Sequence, residues 1–144
     1  MLELKHITKT FDTDAGRVKA VDDVSLTINP GEIFGIIGFS GAGKSTLVRC
    51  INLLERPTSG NVVIDGTDLT TLSDADLRVV RRRIGMIFQH FNLMPSRTVF
   101  DNIALALRHS ELGKEAKAKK IEELLALVGL SDKSNAYPAQ LSGG

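Results

Sequence analysis

A glycine-rich octapeptide at residues 38–45 constrains this chain more than any other feature. Its sequence, GFSGAGKS, fits G-x-x-x-x-G-K-[ST], a loop in which backbone N–H groups converge on a nucleotide phosphate. Glycines leave room for the phosphate, and the helix that follows directs the positive end of its dipole at the same point. Lys44 supplies a mobile charge for the outer phosphates, and Ser45 supplies a hydroxyl for Mg²⁺. The predicted nucleotide-binding residues here are Gly38, Phe39, Ser40, Gly41, Ala42, Gly43, Lys44, Ser45 and Thr46.

The sequence around the loop supports this interpretation against a plain glycine turn. Residues 33–37 form a short apolar run that predicts a buried strand, and apolar residues recur at helical spacing from Leu47 to Leu54. Proline at position 57 ends the predicted helix near residue 56. Strand, glycine loop and helix in this order are the context that a phosphate-binding motif requires.

Composition excludes several other classes of protein. The chain has 144 residues, 42% of them hydrophobic and 24% charged, which suits one domain with a real core. A net charge of +1 does not indicate a nucleic-acid binder. Cys50, the single cysteine, is expected to be a buried small hydrophobe, and the three histidines lack metal-ligand spacing. Without a secretory signal or a membrane-length apolar stretch, the chain is expected to be cytosolic, with any membrane role mediated by a partner.

The order of predicted elements indicates an α/β protein. An antiparallel pair of strands is predicted at 2–11 and 18–28, a strand at 61–64 closed by an Asp-Gly turn, and a short buried strand at 85–88. Helices are predicted after Ser73 as N-cap, from Thr98, and at 114–128, where apolar residues through Val128 form one stripe. These elements predict a phosphate-binding core with an antiparallel β subdomain at 1–90 and a helical subdomain at 91–144.

Taken together, the chain resembles the nucleotide-binding domain of ABC transporters along its whole length. Gln89 falls at the end of a predicted strand, as the glutamine of the family's Q-loop does, and residues 141–144, LSGG, match the start of the family signature. Phe11 stands where the family places an aromatic ring on adenine, and Val18 and Ala20 stand where small apolar residues flank it. The family more often has Tyr at this aromatic position, but Phe keeps the π-face.

The resemblance implies a P-loop NTPase fold, with ATP and Mg²⁺ as cofactors. Lys44 and Gln89 would have catalytic roles, with Gln89 positioning the metal and the attacking water, while Ser45 and Gln89 would be the metal-contacting residues. ATP is held in this family between the loop of one subunit and the signature of the other, which implies a homodimer. The signature residues Ser142, Gly143 and Gly144 would then contact the ATP of the opposite subunit.

Finer features resemble one branch of the family. Residues 49–60 are typical of bacterial amino-acid importers, and residues 84–93 and 96–102 look most like the methionine importer ATPase, although ATPases of polar amino-acid importers share much of this. This resemblance implies transmembrane permease subunits as partners, contacted by residues 91–103, and indirectly a substrate-binding protein. The implied location is peripheral, at the cytoplasmic face of the inner membrane.

Family features that follow the signature lie outside these 144 residues. The Walker B strand with its Mg²⁺-binding Asp and catalytic Glu, and the switch His, come after the signature in ABC ATPases. The chain is therefore expected to be the N-terminal part of a longer transport ATPase, with the C-terminal part missing and residues 1–144 inactive alone. The alternative is that the chain as it stands is a non-hydrolysing nucleotide-binding fragment or an inert remnant. A third interpretation, another P-loop switch or kinase, is disfavoured by Gln89 and by residues 141–144, which those families lack.

Overall fold

A long antiparallel hairpin opens the chain. In the computed structural model, which describes residues 1–14, 16–88 and 92–141, strand β1 (Leu2–Thr13) pairs with strand β2 (Gly16–Ile28). The register runs from Leu2 opposite Ile28 to Thr13 opposite Gly16, with irregularities between Leu4 and Thr10. The predicted antiparallel pair is confirmed, and both strands continue further toward the turn than expected.

Two more strands complete the sheet. Strand β3 (Ser59–Ile64) lies antiparallel to β1 on the side away from β2, and the two-residue strand β4 (Thr67–Asp68) pairs with β3, so the order is β2-β1-β3-β4. Asp65 and Gly66 join β3 to β4 with φ angles of 49° and 80°. Positive φ at both central residues is the conformation that a two-residue Asp-Gly hairpin turn requires. The turn predicted at this dipeptide is therefore confirmed.

Two helices pack on this sheet and enclose the larger core. Helix α1 (Lys44–Ile51) follows the glycine-rich loop, and helix α2 (Asp74–Arg81) begins at Ser73, whose hydroxyl accepts from the Asp76 N–H as predicted. Cys50 is fully buried, and burial raises the pKa of its thiol, in agreement with a structural role. The buried core residues are Leu4, Ile7, Val21, Leu47, Cys50, Leu53, Val62, Leu69 and Leu77.

Helix α1 is shorter than the apolar spacing predicts. It ends at Ile51, and Leu53 adopts a positive φ of 52° that a continuing helix does not allow. Leu54, expected on the buried stripe, is exposed. The proline at 57 therefore lies beyond a helix that has already ended.

Two strands predicted from apolar runs are not strands in the structure. Residues 33–37 and 85–88 lie outside every strand of the described sheet, and Ile33, Ile37 and Ile87 are 100%, 94% and 99% exposed. A strand is defined by hydrogen bonds to a neighbouring backbone, and the described ranges place no strand beside either segment. Ile36, within the first segment, and Ile84, just before the second, turn inward and pack on the core. Met86 is half-buried, and its sulfur accepts from the side-chain amide of Asn52 at 2.8 Å.

The later part of the chain is helical. Helix α3 (Val99–Ala106) begins at Thr98, whose hydroxyl accepts from the Asp101 N–H, and helix α4 (Lys114–Leu127) follows. Val99, Ile121 and Leu125 form a second, smaller core. The predicted stripe on α4 is wrong at Val128, which is exposed because the helix ends one residue earlier and Gly129 turns the chain with a φ of 71°.

The chain divides into two compact units. Met1–Met86 holds the sheet and the larger core, and Ile87–Gly144 holds α3 and α4. The boundary predicted at residue 90 stays a prediction. Within the described ranges, no helix combines the length and the apolarity needed to cross a bilayer.

Candidate nucleotide-binding site

The glycine-rich loop leads into α1 with the geometry of an anion cradle. Gly41 and Gly43 have φ angles of 82° and 83°, which glycine adopts without strain, and Gly43 is the N-cap of α1. Among the described residues, no side chain caps this helix end. The first N–H groups of α1 are therefore left for an anionic ligand at the positive end of the helix dipole.

Gly43 also lies against strand β2 with no space for a side chain. A Cβ atom built on Gly43 would lie 2.0 Å from the carbonyl oxygen of Ala20 and 3.1 Å from its carbonyl carbon. The glycine of the G-K-S triplet thus serves the close approach of the loop to the hairpin as well as the turn. This contact fixes the start of α1 next to β2.

Lys44 closes over the loop. Its Nζ atom donates to the carbonyl oxygens of Gly38, at 2.8 Å, and Phe39, at 2.7 Å. An ammonium held by two exchangeable carbonyls at the loop can donate to phosphate oxygens instead. Ser45 and Phe39 are exposed, and Thr46 is half-buried. A loop with positive-φ glycines, an uncapped helix end and a lysine at its opening fits the phosphates of a nucleotide.

Phe11 lies on the strand pair that the loop approaches. It is directly opposite Val18 in the β1–β2 register, and it is half-buried while Val18 is exposed. The register shifts next to this pair, between Lys9 opposite Val21 and Thr10 opposite Lys19, so Ala20 is an extra residue on β2. Val18 precedes Ala20, the residue that Gly43 approaches, by two positions on β2, which is roughly 7 Å along the strand. The structure thus brings the predicted base-contacting residues close to the phosphate loop.

An open cavity lies on the other face of the same hairpin. Its volume is about 440 Å³, and its walls are polar and charged. The strand alternation places it opposite Phe11 and Val18. Its two cations already have partners, since Arg17 Nε is 2.8 Å from Asp12 and Lys19 Nζ is 2.9 Å from Asp22. The residues that line it are Thr10, Asp12, Arg17, Lys19 and Thr58.

The predicted metal site is only partly described. Ser45 is the one predicted Mg²⁺ contact within the described ranges, and those ranges contain no group of three His, Cys, Asp or Glu side chains able to hold a metal. Mg²⁺ in nucleotide sites takes few protein ligands and several phosphate and water oxygens, and the hydroxyl of Ser45 can supply one of those protein ligands. Gln89, Ser142, Gly143 and Gly144 lie outside the described residues.

One residue with several polar contacts, Asn102, belongs to none of the sequence motifs. Asn102, in the first turn of α3, donates to the carbonyl oxygens of Met94, Arg97 and Thr98 and accepts from the Met94 N–H at 2.8 Å. It thereby ties Met94, Arg97 and Thr98, within the segment expected to contact a permease, to α3. An asparagine inside a predicted helix carries no signal for this role, because its partners depend on the loop conformation.

Comparison with known proteins places these features in a family. The model of the ABC transporter family matches residues 21–144. The methionine import ATP-binding proteins MetN of Photorhabdus laumondii and Mannheimia succiniciproducens are each 60% identical to the chain over 144 residues. MetN 1 of Enterococcus faecalis is 58% identical over the same length. Each match covers the whole of this chain. The chain spans only 42%, 42% and 40% of the length of these three relatives, respectively.

Solved structures agree with the family match. The ATP-binding cassette MJ0796 in a dimeric post-hydrolysis state bound to ADP and Pi superposes with a TM-score of 0.92 at 38% identity. A second dimeric structure of this bacterial ABC transporter cassette gives a TM-score of 0.93, also at 38% identity. Each covers 99% of this chain, which spans 64% of the solved one. The predicted α/β fold of an ABC ATPase is therefore confirmed.

Proposed function

The chain belongs to the ABC transporter family, and on that premise we propose that it is the ATP-binding part of an importer ATPase that couples ATP hydrolysis to methionine uptake. The observation that carries the proposal is the cradle formed by Gly43 against Ala20, the uncapped start of α1 and Lys44. Methionine is favoured over polar amino acids because the relatives at 60% identity are named methionine import ATP-binding proteins.

Each site residue has a distinct role in this proposal. The N–H groups of the loop and of the start of α1 bind the phosphates, and Lys44 exchanges its loop carbonyls for the outer phosphate oxygens. Phe11 stacks on adenine beside Val18. Ser45 and Gln89 hold Mg²⁺, which supplies charge neutralisation for phosphoryl transfer when bound. Gln89 also positions the attacking water.

The proposed assembly has two copies of this subunit. ATP bound at the loop of one copy is contacted by Ser142, Gly143 and Gly144 of the other, and the dimeric state of the solved cassettes at 38% identity supports this arrangement. The permease contact involves residues 91–103, where Leu93 and Met94 expose apolar surface next to the loop that Asn102 orders. The subunit is peripheral at the cytoplasmic face of the membrane and acts indirectly with a substrate-binding protein.

A non-hydrolysing state is the second candidate, for residues 1–144 alone. It is favoured by the composition of the metal site, where Ser45 is accompanied by no acidic cluster within the described ranges. Firm Mg²⁺ binding and water activation generally require carboxylates that such a site does not supply. We therefore expect the 144-residue chain to bind nucleotide without turnover.

The test replaces Lys44 by Ala in the complete gene product. ATP hydrolysis is expected to fall by about 100-fold or more, because a positioned charge on the transferred phosphoryl group is lost. Lys119→Ala, on an exposed position of α4, is the matched control and is expected to retain activity. Unchanged turnover in Lys44→Ala would contradict the proposal. Turnover by purified residues 1–144 above their own Lys44→Ala control would contradict the inactive state.

The solute is tested by uptake in cells that carry the wild-type or the Lys44→Ala gene. Labelled methionine uptake is expected to be lost with Lys44→Ala, while uptake of histidine and arginine stays unchanged. Loss of histidine or arginine uptake with methionine uptake retained would assign the protein to polar amino-acid import.

A further inference from the structure

The environment of Lys9 leads beyond the family motif. We propose that Lys9 is a positioning residue, which orients the ring of Phe11 for adenine and ties it to the chain that follows the phosphate-binding helix. This inference rests on the proposed function, because it assumes that Phe11 stacks on the base. It concerns the compact unit Met1–Met86 only.

The ammonium of Lys9 has three partners. Its Nζ atom lies 4.8 Å from the centroid of the Phe11 ring, over the ring. It donates to the carbonyl oxygen of Arg56 at 2.9 Å and lies 3.3 Å from Oε2 of Glu55. An ammonium has three N–H donors, so the carbonyl, the carboxylate and the π-face together account for its capacity.

Lys9 is also buried to an extent that lysine rarely is. Its side chain is only 16% exposed, whereas lysines usually remain in water. Screening by solvent is reduced at such a site, so the attraction of the cation to the ring and to Glu55 is stronger than on an open surface. The ammonium covers one face of the Phe11 ring and therefore restricts the rotation of the ring.

The partners of Lys9 connect two parts of the nucleotide site. Glu55 is itself tied to α1, because its N–H donates to the Arg49 carbonyl at 3.1 Å. Lys9 and Phe11 lie two residues apart on β1, so their side chains share a face. Through Lys9, the base-stacking ring is linked to the end of the helix whose start carries the phosphate loop.

The consequence is a ring that is already oriented before nucleotide binds. Lys9 lies over one face of Phe11, and the ring is only half-buried, so part of its surface remains exposed for a base. A preorganised platform raises affinity because the base does not have to order it. Loss of the cation is expected to weaken ATP binding about 3- to 30-fold, without affecting the phosphate loop.

The test compares ligands with and without a base on the complete gene product. Affinities for MgATP and for inorganic triphosphate are measured by calorimetry for wild type, Lys9→Met and Lys5→Met, the last an exposed lysine of the same strand. Lys9→Met is expected to weaken MgATP about 3- to 30-fold and to leave triphosphate unchanged. Lys5→Met is expected to change neither. A merely structural role would weaken both ligands together, which would overturn the inference.

A double-mutant cycle separates this inference from the proposed function. Phe11→Leu is expected to weaken MgATP selectively, and adding Lys9→Met to it is expected to have no further effect, because Lys9 acts through the ring. If Phe11→Leu leaves MgATP affinity unchanged, the base site of the proposed function is wrong. If Phe11→Leu weakens MgATP and Lys9→Met does not, only the role of Lys9 is wrong.

Glu55→Gln provides a second variant if Lys9→Met folds poorly. It removes the charge partner of Lys9 while preserving shape, and it leaves the ring in place. The ratio of MgATP to triphosphate affinity is expected to fall about 2- to 3-fold. An unchanged ratio would contradict the link between the ring and residues 55–56.

Discussion

At the scale of single residues, the candidate site depends on glycine, with no side chain, at position 43. Gly43 combines a positive φ with a backbone approach to Ala20 that a methyl group would block. Gly31 has a similar φ of 77°, but a Cβ atom built there would meet nothing within 4 Å. Alanine substitutions at these two glycines therefore separate the free-energy cost of a positive φ from the cost of steric overlap with neighbouring backbone.

Gly43→Ala is predicted to destabilise the protein more than Gly31→Ala does. The conformational cost of alanine at positive φ is about 1–2 kcal/mol at either position. Steric overlap with the Ala20 carbonyl is expected to add about 1–3 kcal/mol at Gly43 alone. Urea unfolding of the two variants measures the difference.

Nucleotide affinity distinguishes the two variants as well. Gly43→Ala is expected to lose MgATP binding because α1 and the loop are displaced from β2, whereas Gly31→Ala is expected to bind normally. Equal stability and equal affinity in the two variants would contradict a role for the close approach.

At the scale of elements, the two ends of helix α1 differ in whether side chains bind their unpaired backbone groups. No described side chain caps its start, but the guanidinium of Arg81 on α2 donates to the carbonyl oxygens of Asn52, at 2.9 Å, and Leu53, at 2.5 Å. A cation at the carboxyl end of a helix satisfies unpaired carbonyls and favours the dipole. Arg81 is half-buried at this helix end, whereas its neighbours Arg82 and Arg83 are exposed.

Arg81→Met is predicted to destabilise the protein by about 1.5–3 kcal/mol, the usual worth of hydrogen bonds to a charged group. Arg82→Met, at an exposed neighbouring position, is the matched control and is expected to stay within about 0.5 kcal/mol of wild type. Urea unfolding followed by circular dichroism is the measurement. Indistinguishable midpoints for the two variants would show that Arg81 does not stabilise the end of α1.

At the scale of the whole molecule, an apolar segment without a strand partner remains exposed. Residues 33–37 have Ile33 and Ile37 almost entirely in solvent, and the described sheet places no strand beside them. Unpaired backbone with exposed apolar side chains is a template for pairing with another chain. The 144-residue chain is therefore expected to associate.

Ile37→Lys is predicted to reduce that association. A charge on this unpaired segment opposes backbone pairing with another chain, and little packing is lost because Ile37 is 94% exposed. Leu127→Lys is the matched control, since Leu127 is also exposed but belongs to helix α4 rather than to a segment without a regular element. Sedimentation over a range of concentrations is the measurement. A monomeric wild-type chain that melts cooperatively, or equal effects of the two substitutions, would contradict the prediction.

Local signals account for the elements that sequence reasoning predicted correctly. The hairpin turn at Asp65 and Gly66 and the N-cap at Ser73 follow from the conformational and hydrogen-bonding preferences of those residues. The strands predicted at 33–37 and 85–88 were wrong for the described sheet, because an apolar run shows a preference for burial and not which backbone lies beside it.

The sequence by itself determined the phosphate loop, because the spacing of Gly38, Gly43, Lys44 and Ser45 defines which N–H groups and which charge can meet a phosphate. It did not determine what holds the site in place. The approach of Gly43 to Ala20 and the contacts of Lys9 with Phe11, Glu55 and Arg56 join residues far apart in the chain. Such contacts depend on how strands and helices pack, and packing is decided by the tertiary structure because no local preference encodes it.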